Sequence, residues 1–452
     1  MGKEENTMLQ SDIAVVILAA GKGTRMKSNL HKVLHPLGGR PMLHHLMDTL
    51  KALNPARKVI VVGAGKEQVE QSVGDQAEIV VQNPQLGTGH AVQVTKDQLQ
   101  DFSGDVLILY GDVPLLSAST LQELLNKRRD QSDPAVVVLG FEPEDSQAYG
   151  RLVVDDEGEL LSIVEYKDAS PAQRAIGLCN SGIMVIDGAR MFGLLDDLDD
   201  NNAAGEFYLT DIVALARARG FGCSVSVADE TEVIGINSRR ELAGAEAIFQ
   251  KNKRQYFMDA GVTLIDPETV YFSYDTVIGQ DVVIEPNVFL APGVTIEDGV
   301  VIKSFCHLEG ATLRKGAVAG PYARLRPQAD VGPGAKIGNF VEVKKSVIEE
   351  GAKISHLSYI GDAVIGAGAN IGAGTITCNY DGFNKALTEI GRGAFIGSNT
   401  ALVAPVKIGE GAIVGAGSVI TREVAEDALA VTRVQQKEIG GWALSFRARQ
   451  KK

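Results

Sequence analysis

The apolar positions of this chain follow two different periods, and the change falls near residue 240. In the first half, short apolar runs alternate with stretches at helical spacing. Strands that alternate with helices are typical of an α/β domain built on a largely parallel sheet, so each run is predicted to be a buried strand. The runs lie at 14–18, 59–62, 106–110, 135–139 and 183–186.

Two helices are indicated in and after this half. In the segment 117–123, Thr120 followed by Glu123 suggests a capping box with Thr120 as N-cap. Apolar residues recur at helical spacing over 241–258 and predict a helix that joins the two halves. The expected organisation is a first domain over 1–239, a linker helix over 240–260 and a second domain with a C-terminal tail over 261–452.

Beyond the linker the apolar period is six, and glycine often follows the aliphatic residue. This period predicts a parallel β-helix, in which each six-residue unit forms one flat side and directs one aliphatic side chain inward. Three sides make a triangular coil, and coils stack about 4.8 Å apart. The in-phase positions are Ile278, Ile284, Leu290, Ile296, Ile302 and Leu308, a second phase at Val282, Val288, Val294 and Val300, and, after slips, Val331, Ile337, Val343, Ile354, Ile360, Ile365, Ile371, Ile390, Ile396, Leu402, Ile408, Val414 and Ile420.

Length and composition fit a multidomain globular protein. A chain of 452 residues suggests two or three domains. No apolar stretch approaches the roughly 18 to 20 residues of a membrane-spanning helix, and the first ten residues lack an apolar signal core. We therefore expect a soluble, cytoplasmic protein without membrane contact. The cysteines form no CxxC pair and are expected to be free thiols: Cys179, Cys223, Cys306 and Cys378.

The net charge of −13 limits the class of partner. A nucleic acid requires a broad basic face, so the charge argues against nucleic-acid binding. Small anions remain possible ligands, because a few local Lys and Arg residues can hold a phosphate within an acidic background.

The predicted strand 14–18 opens into AAGKGTRM at 19–26. A glycine-rich turn after a strand allows backbone N–H groups to approach phosphates, although GKG alone is as often a plain tight turn. Lys22, Arg25 and Lys32 add three cations within eleven residues and favour an anion site. The strand near 106–110 is followed by Asp112, which could meet a ligand beyond the strand end or cap a turn.

Polar residues interrupt the six-residue period in four segments of the second half: 323–327, 338–346, 354–362 and 370–382. The inside of a coil needs only small and aliphatic residues, so the Arg, Lys, His and Tyr side chains of these segments are expected to stand outward. From composition alone, a solvated face is favoured over a reactive patch.

Further motifs resemble the nucleotide-sugar pyrophosphorylase signature: QLGTGHA (85–91), YGR (149–151), VEYKDA (164–169), NSGIMVI (180–186), GEFYLTDI (205–212) and GIN (235–237). Beyond about residue 10, the chain resembles the bacterial family of bifunctional N-acetylglucosamine-1-phosphate uridyltransferases and glucosamine-1-phosphate acetyltransferases. The resemblance implies a Rossmann-like nucleotidyltransferase domain followed by a left-handed parallel β-helix, assembled as a homotrimer. It also implies acetylation of glucosamine 1-phosphate by acetyl-CoA, then uridylyl transfer from UTP to N-acetylglucosamine 1-phosphate with Mg²⁺.

The same resemblance implies site residues in the first domain. Lys22 and Arg25 would neutralise charge during the reaction, and Asp112 and Asn237 would ligate the magnesium. His31 stands where the family usually has proline, so Lys32 is expected to be less preorganised. The nucleotide and sugar would contact Leu18, Ala19, Ala20, Gly21, Lys32, Gln82, Gly87, Thr88, Tyr110, Gly111, Gly150, Glu165 and Asn180, besides the two magnesium ligands.

In the second domain the resemblance implies His356 as the general base, since histidine titrates near neutral pH. Glu342 is a candidate for orienting it. Arg326 and Lys344 would hold the sugar phosphate, and Tyr359 and Asn370 the amino sugar. Acetyl-CoA would contact Ala373, Asn379, Tyr380, Ser398, Ala416 and, from another subunit, Arg433. The remaining histidines are interpreted as structural or surface residues: His35, His44, His45, His90 and His307.

Two other functions fit the domain types. One is a monofunctional nucleotidyltransferase whose β-helix only assembles an oligomer, and the other is a non-catalytic assembly or exchange-factor subunit. The joint presence of Lys22, Arg25 and Asp112 in one half and His356 in the other favours the bifunctional enzyme.

Overall fold

A computed structural model describes residues 12–146, 149–202 and 204–450. The chain divides into two compact units, Met1–Phe249 and Gln250–Lys452, and the division falls inside the helix Arg239–Asp259. The prediction about a signal core concerns the first ten residues, which lie outside the described ones.

The first unit is built on a nine-stranded sheet. Its strands are β1 (Ile13–Ala19), β2 (Arg57–Val62), β3 (Glu78–Val81), β4 (Asp105–Tyr110), β5 (Val136–Phe141), β6 (Arg151–Val154), β7 (Leu160–Val164), β8 (Cys179–Asp187) and β9 (Cys223–Val227). A hairpin of two short strands, Pro36–Leu37 and Arg40–Pro41, lies apart from this sheet. The five apolar runs are therefore confirmed as strands.

The strands follow the order β9-β5-β8-β4-β1-β2-β3 across the sheet, and β6 pairs with β7 and β8. Strand β1 runs parallel to β2 and β4, whereas β8 is antiparallel to β4 and β5.

Both faces of this sheet are covered. Along β1, Val15 and Ile17 pack in one hydrophobic cluster, whereas Ala14 and Val16 pack in another. A parallel strand that is buried on both faces reads as a continuous apolar run rather than an alternating one. This explains why β1 is so evident in the sequence.

The helix Ala118–Arg128 begins one turn earlier than the capping prediction. Its N-cap is Ser117, in extended conformation, whose Oγ accepts a hydrogen bond from the backbone N–H of Thr120 at 3.1 Å. The prediction of Thr120 as N-cap was wrong, because its hydroxyl instead donates to Glu232 at 2.7 Å. The other α-helices are Met42–Thr49, Lys66–Val73, Thr88–Gln93, Lys96–Leu99, Pro171–Arg174, Gly188–Leu195, Ile212–Ala218, Arg239–Asp259 and Trp442–Gln450. Within the described ranges, no helix combines the length and apolar character needed to cross a membrane.

The second unit is a stack of coils with parallel pairing between them. Val283 pairs with Val301 and Val318 with Lys336, so one coil takes about 18 residues, or three six-residue units. One face is a ten-stranded sheet: Thr263–Leu264, Val283–Ile284, Val301–Ile302, Val318–Ala319, Lys336–Asn339, Lys353–His356, Asn370–Ile371, Phe395–Ile396, Ile413–Val414 and Leu429–Ala430.

A 15-stranded sheet forms the other two faces, because two long strands, Glu342–Ile348 and Tyr359–Ile365, pass around a corner. Its remaining strands are Val270–Phe272, Val277–Ile278, Val288–Leu290, Thr295–Ile296, His307–Leu308, Ala311–Leu313, Arg324–Leu325, Ala329–Val331, Ile376–Cys378, Thr388–Ile390, Ala401–Val403, Val406–Ile408 and Val419–Ile420. The predicted β-helix is confirmed.

The six-residue series forms the interior of the coils. Ile284, Leu290, Ile302 and Leu308 are at most 1% exposed and belong to a single hydrophobic cluster that continues to Val424. Because no coil can bury its inward side chains alone, the stability of the unit is shared along the stack.

One segment leaves the coil, and we call it the outer loop (Asn379–Ala386). Asn370 pairs with Phe395, so this coil is longer than its neighbours. The backbone N–H of Ala386 donates to the carbonyl of Asn379 at 2.9 Å and closes the base of the loop.

Glycine often follows an inward aliphatic residue because the backbone of the next coil passes too close to that position to leave room for a side chain. A Cβ at Gly338 would lie 1.9 Å from the carbonyl oxygen of Ser355, and one at Gly397 would lie 2.4 Å from the backbone nitrogen of Ala416. Any larger residue at these positions would push two coils apart.

Gly391→Ala is therefore expected to destabilise the second unit. The new Cβ would lie 2.5 Å from the backbone nitrogen of Glu410, and overpacking of this kind costs about 1–3 kcal/mol. A thermal melt followed by circular dichroism should show a lower midpoint. Gly244→Ala is the control, because its Cβ would meet no atom within 4 Å and Ala favours the helix Arg239–Asp259. Equal midpoints in the two variants would contradict the packing argument.

Candidate active sites

A cavity of about 490 Å³ lies in the first unit, where β1 and β4 end. The parallel register places Leu18 of β1 beside Tyr110 of β4, so the segments after both strands meet there. Eleven predicted residues line it: Leu18, Ala19, Ala20, Gly21, Lys32, Gln82, Gly87, Thr88, Tyr110, Asp112 and Asn237. The sequence reasoning did not name several lining residues that lie inside the motifs given above, and those motifs were the available signal: Gln85, Ala91, Tyr149, Ser181, Glu206 and Gly235. It also missed Val33, Val113 and Val233.

The glycine-rich turn lies directly against Lys32. Gly23 has a φ of +58°, and a Cβ there would be 2.8 Å from the Cβ of Lys32. Lys22 and Arg25 do not line the cavity; they are exposed, and their side chains make no hydrogen bond or ion pair with any residue of the described ranges. Two cations on this turn are thus available to an anionic ligand.

Lys32, Asp112 and Asn237 form one polar cluster. The Nζ of Lys32 lies 2.5 Å from Oδ2 of Asp112 and 3.0 Å from Oδ1 of Asn237. The Lys32 and Asp112 side chains are only 13% and 12% exposed. The backbone supports the arrangement, since Ile236 N–H donates to the Asp112 carbonyl at 2.9 Å. Two oxygen donors therefore converge on a single cation position.

This donor set fits a hard divalent cation, because carboxylate and amide oxygens are its preferred protein ligands. Among residues 12–146, 149–202 and 204–450, no group of three or more His, Cys, Asp or Glu side chains could hold a metal. A divalent cation at Asp112 and Asn237 would thus need further ligands from the substrate or from water.

Gly150, Glu165 and Asn180 lie together but outside the lining of the cavity. Asn180 N–H donates to the Gly150 carbonyl at 2.9 Å, and a Cβ on Gly150 would lie 3.6 Å from both Glu165 carboxylate oxygens. Burial, followed by the charges of Asp168 and Asp211, raises the pKa of Glu165. Gly111, also predicted here, is buried and donates its N–H to the Leu18 carbonyl at 3.0 Å.

His31 compensates in part for the missing proline. Its backbone N–H donates to Oε1 of Gln68 at 2.8 Å, a bond that proline cannot make. The ring is buried, and neither of its nitrogens has a partner among the described residues. Burial, and then the charge of Lys32, lowers its pKa and favours the neutral imidazole.

The five histidines interpreted as structural make local contacts. Their partners are the Arg239 guanidinium for His35 (3.2 Å), the Ser72 hydroxyl for His44 (2.8 Å), the Leu37 carbonyl for His45 (2.7 Å), the Gln82 amide for His90 (3.3 Å) and the Phe289 ring for His307 (centroids 5.2 Å apart).

On the second unit, the coil register collects the predicted phosphate-binding side chains. Arg326, Lys344 and Gly361 follow one another on successive coils of the same face. Tyr359 lies over Gly361, because a Cβ at Gly361 would be 2.5 Å from the phenolic oxygen. Arg326 Nη1 also pairs with Oε1 of Glu342 at 2.9 Å.

His356 is paired with Asn339, a residue that the sequence reasoning missed. The two lie opposite each other on adjacent strands, and Asn339 Oδ1 is 2.6 Å from the exposed ring's Nδ1. Asn339 precedes His356 by one coil length, and this spacing in the sequence could have identified it as a neighbour of His356. Glu342, the candidate orienter, instead contacts Arg326, so the structure favours Asn339 for that role.

The predicted acetyl-CoA residues continue from His356 along the stack. Asn399 N–H donates to the Ala373 carbonyl at 2.7 Å, and Gly417 N–H donates to that of Ser398 at 2.8 Å. Arg433 Nη1 donates to the Ala416 carbonyl at 2.7 Å within the same chain. We call His356, Ala373, Ser398, Ala416 and Arg433 the column. At about 4.8 Å per coil, its length is roughly 19 Å.

Three further predicted residues flank the column. Asn370 begins the strand Asn370–Ile371, three positions before Ala373, and its side chain is half-buried. Tyr380 is exposed in the outer loop, where its hydroxyl donates to the Gly382 carbonyl at 2.5 Å. Asn379 is buried at the base of that loop, and its amide donates to Asp362.

Comparison with known proteins matches both halves. Residues 15–175 match the MobA-like NTP transferase domain, and residues 275–310 and 387–422 match the bacterial transferase hexapeptide (six repeats). The protein named bifunctional protein GlmU of Paramagnetospirillum magneticum is 60% identical and covers 98% of both chains. Proteins of the same name from Rhodospirillum rubrum and Zymomonas mobilis are 57% and 53% identical, covering 96% and 97% of this chain and 97% and 98% of theirs.

Proposed function

Since the chain belongs to the GlmU family of bifunctional proteins, we propose that each candidate site catalyses one step of UDP-N-acetylglucosamine synthesis. The second unit transfers the acetyl group of acetyl-CoA to glucosamine 1-phosphate. The first unit then transfers the uridylyl group of UTP to N-acetylglucosamine 1-phosphate and releases pyrophosphate. The observation that carries the proposal is that one chain holds both residue sets: Lys32 with Asp112 and Asn237, and His356 with Arg326 and Lys344.

Uridylyl transfer needs positioning and charge neutralisation rather than a protein nucleophile. The sugar phosphate attacks the α-phosphorus of UTP, the new P–O bond forms, and the bond to pyrophosphate breaks. Lys22, Arg25 and Lys32 would balance the charge on the phosphates. Lys32 is well placed for this, because its Nζ would be 3.9 Å from a Cβ on Gly21.

Mg²⁺ would be held by Asp112 and Asn237, whose oxygens already converge on one cation position. When bound, it neutralises charge on the phosphate oxygens. Asp112 and Asn237 are held at this position by the backbone bond between Ile236 and Asp112 and by Glu241, which accepts from the Asn237 N–H at 2.6 Å.

Acetyl transfer needs a neutral amine on the sugar. With Nδ1 bonded to Asn339 Oδ1, the proton on that nitrogen is fixed and Nε2 is left to accept the proton of the attacking amine. The N–C bond forms, the C–S bond breaks, and the imidazolium returns the proton to the departing thiolate. Arg326 and Lys344 hold the phosphate, and Tyr359 and Asn370 the sugar.

Acetyl-CoA would lie along the column. Its thioester end belongs beside His356, and the column runs roughly 14 Å from there to Ala416. The phosphates would meet an Arg433 guanidinium, which the family resemblance assigns to another subunit. Small side chains at Ala373 and Ala416 leave room for the pantetheine arm, and Ser398 offers a hydroxyl to its amides.

A closed homotrimer would cover the outward-facing second site. The support is an exposed aromatic stack: Phe305, Tyr322 and Phe340 have ring centroids 4.8 and 5.1 Å apart, yet remain 50%, 46% and 56% exposed. Exposed apolar patches of this kind mark protein interfaces.

A cytoplasmic location is consistent with the proposed substrates, UTP and acetyl-CoA.

His356→Ala and Asp112→Ala are expected to separate the two activities. The first variant should lose about 10²–10⁴-fold in thiol release from acetyl-CoA and glucosamine 1-phosphate, because it removes the general base, and should keep pyrophosphate release from UTP. The second should show the opposite pattern. Thiol and pyrophosphate assays on the same preparations check this. Loss of both activities in either variant would contradict separate sites.

Lys32→Met is expected to bind Mn²⁺, used in place of Mg²⁺, about tenfold more tightly without nucleotide, or about 1.4 kcal/mol. The reason is that the Lys32 ammonium no longer competes for Asp112 and Asn237. Free Mn²⁺ is measured by electron paramagnetic resonance.

Arg25→Met provides the matched control, because it removes one positive charge without touching the oxygen pair. If Arg25→Met gained a similar amount of Mn²⁺ affinity, the effect would come from the loss of one positive charge and not from the release of Asp112 and Asn237. Asp112→Ala should weaken Mn²⁺ binding, and unchanged binding would refute the cation position itself.

A further inference from the structure

Asp362 is a buried carboxylate that belongs to neither predicted residue set. It is 7% exposed and lies at a corner of the coil with a φ of +46°, a conformation that Asp and Asn tolerate better than most residues. A buried carboxylate is costly unless it is paired, so its partners indicate what it does.

Both partners of Asp362 lie at the same corner on the neighbouring coils. On one side, Lys345 Nζ is 3.4 Å from Oδ1, and the Lys345 side chain is 60% exposed. On the other, Asn379 Nδ2 donates to Oδ2 at 2.5 Å in a buried contact. The exposed lysine can be satisfied by water, whereas the buried asparagine depends on the carboxylate.

The carboxylate fixes the orientation of the Asn379 amide. An ionised carboxylate only accepts hydrogen bonds, so the NH₂ group of Asn379 must face Asp362. The side-chain Oδ1 of Asn379 and the second N–H of its amide group therefore face away from Asp362. Without Asp362, the amide could rotate and exchange its donor and acceptor.

The same contact anchors the outer loop. Asn379 is its first residue, and the Asn379 carbonyl accepts from Ala386 N–H at 2.9 Å. Within the loop, the Asp381 carboxylate accepts from Phe383 and Asn384 N–H at 2.8 and 2.7 Å, so the loop is internally ordered. The side-chain hydrogen bond from Asn379 to Asp362 attaches the loop to the coil.

We propose that Asp362 is a positioning residue for acetyl-CoA, which it serves by holding the Asn379 amide and the base of the outer loop. The inference rests on the proposed acetyltransferase function, in which Asn379 and Tyr380 contact acetyl-CoA. Asp362 itself touches no substrate. Its effect is therefore specific to one substrate, whereas a purely structural corner bond would affect both substrates through the stability of the coil.

The test compares Asp362→Gly with Asp362→Asn in steady-state acetyl transfer by the full chain. Glycine suits the positive φ and removes the acceptor, and asparagine keeps an acceptor for Asn379. Asp362→Gly should raise KM for acetyl-CoA at least about tenfold, equivalent to about 1.4 kcal/mol, with KM for glucosamine 1-phosphate within about twofold. Asp362→Asn should recover most of this loss, and uridylyl transfer should be unchanged in both.

Asn379→Ala supplies the reference, and the double variant Asp362→Gly/Asn379→Ala closes a mutant cycle. If Asp362 acts through Asn379, the double variant should resemble Asn379→Ala alone. Fully additive effects would overturn the inference, as would an unchanged KM for acetyl-CoA in Asp362→Gly or equal rises in KM for both substrates. If Asp362→Gly does not fold, Asp362→Ser, whose shorter hydroxyl cannot span the contact, is judged by the same criteria.

The Asn379→Ala variant also distinguishes a failure of this inference from a failure of the proposed function. If Asn379→Ala leaves KM for acetyl-CoA unchanged, Asn379 does not contribute to acetyl-CoA binding, and the inference is overturned together with that assignment. If Asn379→Ala raises KM for acetyl-CoA but Asp362→Gly does not, only the role of Asp362 is overturned.

Discussion

The parallel hydrogen bonds between successive coils determine the chemistry of the second unit. Leu357 N–H donates to the Asn339 carbonyl at 3.0 Å, and Gly374 N–H donates to the Leu357 carbonyl at 3.1 Å. These bonds hold each coil about 4.8 Å from the next. Residues one coil apart thus become neighbours, whereas adjacent residues point to opposite sides. A working site on this fold is a column of residues at one corner, and His356 faces Asn339 for that reason.

In the first unit, the equivalent constraint is the common end of two parallel strands. The register of Leu18 with Tyr110 brings the glycine-rich turn and Asp112 to one place. Their proximity would leave a poorly hydrated carboxylate if Lys32 were absent, and a charge in such a place is stable only when paired. Glycine at position 23 is required for this pairing, because any side chain there would collide with Lys32.

The inward series of the β-helix could be predicted from the sequence, since every inward position meets the same dry interior and therefore selects aliphatic residues. The phase shifts were predicted only in part: the series includes the five-residue step from Ile360 to Ile365, but it misses the step from Leu308 to the buried Leu313. Thr377 was also missed, although its hydroxyl accepts from Gly361 N–H at 2.8 Å. Asn339 and Asp362 escaped because polar residues show no period, and their partners become neighbours only when the coil length is known.

Both proposed phosphate sites contain a cation that is already paired with a carboxylate of this chain. Lys32 pairs with Asp112, and Arg326 with Glu342. In a chain of net charge −13, such pairs hold the cations in a fixed position before substrate binds. An incoming phosphate must exchange with the carboxylate, and it does so favourably only if it carries more charge or more acceptor oxygens. On the proposed function, this exchange selects phosphorylated sugars and nucleotides over the monoanionic carboxylates that are also present in the cell.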